Sequence, residues 1–98
     1  MKAVRFVVIH KPGPSWKPGL PALEQAGLQQ HVDHFRKLLD AGKLTMGGPF
    51  MDEASGGMMI PEPSISEAEM RTFASEDPAV RSGLLTFEIR PWLSALQR

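Results

Sequence analysis

The chain has 98 residues, 11 Lys and Arg against 11 Asp and Glu, and no cysteine. This length suits one domain over residues 1–98 with a modest core; the balanced charge gives no footprint for nucleic acid, and disulfides, thiol nucleophiles and thiolate metal ligands are excluded together. No apolar run nears the roughly 18 to 20 residues that cross a bilayer, and the apolar stretch in MKAVRFVVIHKPGPSW is too short for a signal peptide, so no membrane partner and a cytoplasmic location are expected.

Ala3 to Ile9, rich in β-branched and aromatic residues, reads as the first strand, broken by Pro12-Gly13-Pro14. Lys11 to Pro21 carries four prolines and two glycines and reads as a stiff loop, with Trp16 either a packed anchor or a plug over a cleft. Ala22 to Asp40 is helical in pattern: Leu28, Val32, Phe35 and Leu39 form one stripe expected to face the core, and Gly42 is expected to stop the helix with a left-handed cap.

Leu44 to Met46 is extended, and Gly47-Gly48-Pro49 is expected to bend or end it; a hairpin loop from Asp52 leads to the strand Gly57 to Ile60. Ser66 with Glu69 three residues on is a capping box that opens a second helix reaching about Ser75. Gly83 to Arg90 alternates as a last strand that Pro91 closes, and the tail WLSALQR adds at most a loose turn. The order is βαββαβ, an α+β fold with two helices on one face of a four-stranded antiparallel sheet. Around the first strand the second face mixes Val7, Ile9 and Leu84 with Arg5, Thr86, Glu88 and Arg90. That mixture is interface-like and predicts a homodimer with the sheets face to face.

Three residue types in this chain can carry chemistry. On the helix, His31 lies about 75° from the centre of the apolar stripe and His34 about 135°, on the polar side. The boundary position suits an imidazole that meets a ligand on one nitrogen and a protein partner on the other, though a ring that packs and bonds a nearby carbonyl fits equally. Asp77-Pro78 reads either as a carboxylate serving such a ring or as the N-cap and first residue of a short helix. Gly48 and Pro49 either bring backbone amides to a ligand oxygen or simply turn the chain, and His10 ends the first strand pointing into a cleft or into solvent. Met46, Met51, Met58 and Met59 suit adaptable packing. His31 and His34, three apart, project about 60° from each other with no HExxH pattern, so no metal is expected.

The segments HVDHFRKLLDAGKLTMGGPF, GGMMI and SEDPAVRSGLLTFEIRPW resemble the YciI-like (YCII-related) family of small dimeric α/β-barrel proteins over nearly the whole chain, apart from the Pro-rich loop. The resemblance implies a ferredoxin-like fold, with the family's helix histidine and helix-ending glycine at His31 and Gly42, its Asp-Pro step at Asp77 and Pro78, and its closing Arg-Pro-Trp at Arg90, Pro91 and Trp92; His34 has no counterpart. It further implies that His31 and Asp77 form an active-site dyad, and a few relatives act as lyases that remove chloride from chlorinated hydroxyquinols. Two positions depart from the pattern. Ala79 replaces an aromatic that often follows Asp-Pro, which widens the pocket, and Leu28 replaces a basic residue often three positions before the histidine, which removes an anion contact.

The expected function is a lyase or isomerase that needs no cofactor and acts on a small cyclic or aromatic substrate. His31 would be the general base and Asp77 its partner, with Gly48, Pro49, His10 and Trp16 at the substrate. The alternative is a non-catalytic dimeric module that binds a small ligand or a partner protein through the cleft under the Pro-rich loop.

Overall fold

The computed structural model describes residues 3–98. Strand β1 runs Val4–Pro12, a 3-10 turn spans Ala22–Glu24, and helix α1 is Leu28–Asp40. Strands β2, Leu44–Pro49, and β3, Gly57–Pro61, form a hairpin; helices α2, Glu67–Ser75, and α3, Pro78–Arg81, precede the last strand β4, Leu85–Leu93. The strands lie in the order β2-β3-β1-β4, and all three pairings are antiparallel. The element order matches the expected βαββαβ with α3 added after the second helix, and the strand order is consistent with the ferredoxin-like fold that the resemblance implies.

Helix α1 begins six residues later than its apolar pattern implies, because Gly27 enters the left-handed region at φ 94° and breaks continuity with the 3-10 turn. Gly42, at φ 74°, lies just past the helix end as its sequence position implies. At the start of α2 the Ser66 hydroxyl accepts the Glu69 N–H at 3.1 Å; Glu69 answers through the Ser66 hydroxyl at 3.5 Å rather than its backbone, so half of the capping box forms.

Three prolines that read as strand breakers lie inside strands, Pro12 as the last residue of β1. Pro49 closes β2 opposite Gly57, and Pro91 sits within β4 opposite Phe6. Both strands are at the sheet's edges, where a missing N–H can face outward without breaking a ladder. Gly47-Gly48-Pro49 is therefore strand and not a bend. A Cβ at Gly47 would collide with the Met59 sulfur across the hairpin, which is the packing reason for glycine there.

The core lies between the helices and one sheet face: Val8, Leu44 and Met59 meet Phe35 and Leu38 of α1 and Met70 and Ala74 of α2. Helix α1 is rotated from its apolar stripe. The side it buries is His31, His34, Phe35 and Leu38, while Leu39 is 44% exposed and Val32 and Leu28 are half-buried. The rotation has a physical cause: the two imidazoles find polar partners inside, which lets them occupy core positions, and the displaced apolar side chains face a cleft. His34 is thus not on the polar side. Its ring stacks on Phe73 at 4.0 Å and its Nε2–H donates to the Phe73 carbonyl at 2.7 Å.

On the other sheet face, alternation groups Arg5, Val7, Ile9, Met58 and Ile60 with Thr86, Glu88, Arg90 and Trp92. Arg5 is buried and donates to the Thr45 hydroxyl at 2.7 Å and the Pro61 carbonyl at 2.9 Å; a β-bulge in β2 frees Thr45 for this contact. After β4 the Ser94 N–H and hydroxyl both bond the Ala3 carbonyl, so the chain end is tied to the sheet without a helical turn.

The rotation of α1 is testable by paired truncations measured in urea. Leu38→Ala should cost about 2–5 kcal/mol, the range for a buried leucine, and Leu39→Ala less than about 1 kcal/mol. The reverse ranking would place the apolar stripe in the core after all.

Candidate functional site

Asp77 precedes α3, and its two oxygens fill the two roles that the sequence leaves as alternatives. Oδ1 accepts the Ala79 N–H at 2.9 Å and caps α3, with Pro78 as the first helical residue; Oδ2 faces His31 Nδ1 at 2.5 Å across a separation of 46 positions. Both side chains are buried, Asp77 completely and His31 to 7% exposure. Burial acts most strongly on Asp77 and raises its pKa. The hydrogen bond and charge of His31, the Ala79 N–H and the charge of His10 together outweigh it and hold the carboxyl below its ordinary 3.8. An ionised carboxylate only accepts, so Nδ1 of His31 carries the hydrogen of this contact.

The strand β1 supplies a third group. His10 packs edge-on against His31, with ring centroids 4.7 Å apart, and against Phe35 at 5.4 Å, and its Nε2 stands 3.9 Å from Asp77 Oδ2. It is 2% exposed, and neither ring nitrogen has a hydrogen-bond partner among the described residues. Burial first, and the charge of His31 second, push its pKa down against the pull of Asp77, from 6.5 to about 4. His10 is therefore not solvated, and its buried nitrogens offer no hydrogen bond to the cleft, which it borders only with the rest of its ring.

His31, His10, Trp16, Gly48 and Pro49 all border one cleft of about 690 Å³. Its walls are the outward face of α1, with Leu28, Val32 and Leu39; the hairpin, with Met46, Phe50 and Met51; and the Pro-rich loop. The ionisable groups around it are His10, His31, Arg36 and Asp52. Trp16 serves in both of the ways its position allowed: it lines the cleft and packs on the buried cluster Ala79, Leu84 and Leu85. Gln25, buried, clamps the loop by bonding Lys17 at both its N–H and carbonyl and the Leu20 carbonyl. The outward apolar stripe of α1 was the available signal for this cleft, read in the sequence as core.

His10, His31 and Asp77 also offer two nitrogens and an oxygen within 4.8 Å of one another. Ligand atoms about 2.0–2.1 Å from a tetrahedral ion stand roughly 3.4 Å apart. The 2.5 Å between His31 and Asp77 is too short for two ligands of one ion and fits a hydrogen bond.

The family model for the YCII-related domain matches residues 4–93, from the first residue of β1 to the last of β4. The chain belongs to the YCII-related family. No curated protein matches it. Across this YCII-related domain the match includes both partners of the buried contact and every strand that walls the cleft.

The low affinity of His10 for protons links it to stability. Between pH 6.5 and about 4 the unfolded chain holds a proton on His10 that the folded chain does not, so stability falls as pH drops through this window, by about 3 kcal/mol in all. Asp77 acts in a separate window: its stabilising effect is complete above the ordinary 3.8 and is lost as pH falls below that value. Urea unfolding at pH 7 and pH 4 should show the drop in the native protein and a smaller one in His10→Phe; equal drops would mean that His10 is not held neutral.

Proposed function

We propose that the protein is a lyase or isomerase needing no cofactor, in which His31 Nε2 takes a proton from a small cyclic or aromatic substrate. The observation that carries this reading is the buried His31 Nδ1–Asp77 Oδ2 contact beside an apolar cleft. The carboxylate fixes the tautomer, holds the ring in place and stabilises the imidazolium that forms when the proton arrives. A site of this kind contributes on the order of 10² to 10⁴ in rate. The cleft supports the substrate class, because Val32, Leu39, Phe50 and the methionines suit a flat apolar body, and Arg36 is the fully cationic side chain at its border.

A second copy of the chain belongs to this reading as well. The open sheet face presents Trp92 at 45% and Met46 at 58% exposure beside half-buried Ile9, Met58 and Ile60, ringed by Thr86, Glu88 and Arg90. Such an apolar centre with a polar rim supports a homodimer joined through the sheets. Sedimentation equilibrium should give twice the chain mass, and Ile60→Arg should shift it to one chain; a monomeric native protein would rule the dimer out.

Catalysis is tested by proton exchange. A panel of small cyclic ketones and hydroxylated aromatics is incubated with the protein in D2O, and loss of C–H signal is followed by NMR. At least one compound should exchange, and His31→Gln and Asp77→Asn, both checked for native chemical-shift dispersion, should each slow it 10²-fold or more. Exchange that survives both substitutions contradicts the dyad. Compounds that bind in the cleft without exchange in the native protein favour the non-catalytic ligand-binding module.

A further inference from the structure

His10 is a buried ionisable group that the proposed proton transfer does not use. Its nitrogens do not reach the cleft, so a hydrogen bond to a ligand does not explain it, and its ring is locked edge-on between His31 and Phe35. The charged groups facing it are His31 from α1 and Asp77 ahead of α3. Asp77 Oδ1 is committed to the Ala79 N–H, whereas Oδ2 has one donor, His31, and a second lone pair to offer.

We infer that His10 is a positioning residue for Asp77, an Nε2–H tautomer set beside Oδ2 that helps hold the carboxylate toward His31. The tautomer follows from electrostatics. With the hydrogen on Nδ1 instead, the Nε2 lone pair would face an ionised carboxylate 3.9 Å away and a bare N–H would be buried on the other side. The 3.9 Å separation is about 1 Å beyond a hydrogen bond, a gap that a small shift of the Asp77 carboxylate closes. Neutrality suits this role, because a neutral imidazole donates a hydrogen bond without cancelling the charge that supports His31, and burial keeps His10 neutral down to about pH 4.

The inference rests on the dyad reading for its purpose, but its test is separate from activity. Long-range ¹H–¹⁵N correlation spectra of the full chain labelled with ¹⁵N-histidine report each tautomer directly. At neutral pH His10 should be the Nε2–H form. In His31→Phe, Asp77 Oδ2 is left to His10, whose midpoint should rise from about 4 by at least one pH unit, a tenfold gain in proton affinity. In the double variant His31→Phe/Asp77→Asn the rise should be smaller, since only the loss of the His31 charge remains. An Nδ1–H tautomer in the native protein overturns the inference even where the variants fail to fold, and so does a midpoint that rises equally without the carboxylate. A dyad that fails the exchange assay leaves the tautomer result standing, so the two failures are distinguishable.

Discussion

The buried contact between His31 and Asp77 joins two stretches of chain 46 positions apart and fixes how the second half of the molecule sits on the first. Asp77 is fully buried, and an ionised carboxylate in that position is tolerated only with its oxygens satisfied. The Ala79 N–H takes one oxygen and His31 the other, so one side chain both caps α3 and ties it to α1. Removing one partner of such a buried pair typically costs about 3–5 kcal/mol, because the other is left charged and unpaired. Architecture and chemistry thus draw on the same group.

That constraint also orients α1. Turning His31 inward toward Asp77 brings His34 against Phe73 and carries Leu28, Val32 and Leu39 out of the core to the wall of the cleft. The polar contact and the apolar cavity are therefore two faces of one rotation. The methionine-bearing hairpin and the loop clamped by Gln25 complete the enclosure, which leaves His31 at the junction of a sealed polar cluster and an apolar space. Such a junction is where a proton acceptor has both a fixed orientation and access to a substrate.

Much of the fold was legible because local signals agreed with the tertiary result. The β-branched run in β1, Gly42 past α1, Ser66 ahead of α2 and the turn residues between strands all mark real boundaries. Where the reading failed, tertiary context decided. Pro49 and Pro91 are accepted because their strands lie at the edges of the sheet, and strand order is not a local property. Hydropathy counts imidazoles as polar, so the periodicity of α1 assigned His34 to the wrong side and Leu39 to the core. Of the site, the residues offered the pairing of His31 with Asp77 as one of two readings and the family resemblance favoured it, whereas nothing in the local pattern of β1 marked His10 as the third member of their cluster.

The most direct measurement is the low-field proton spectrum of the ¹⁵N-histidine-labelled protein near neutral pH. It should show a far-downfield proton on His31 Nδ1, held in the contact with Asp77 and absent in Asp77→Asn. A native protein whose His31 carries its hydrogen on Nε2, with no such resonance, would contradict the buried ion-supported pair on which fold and chemistry both depend.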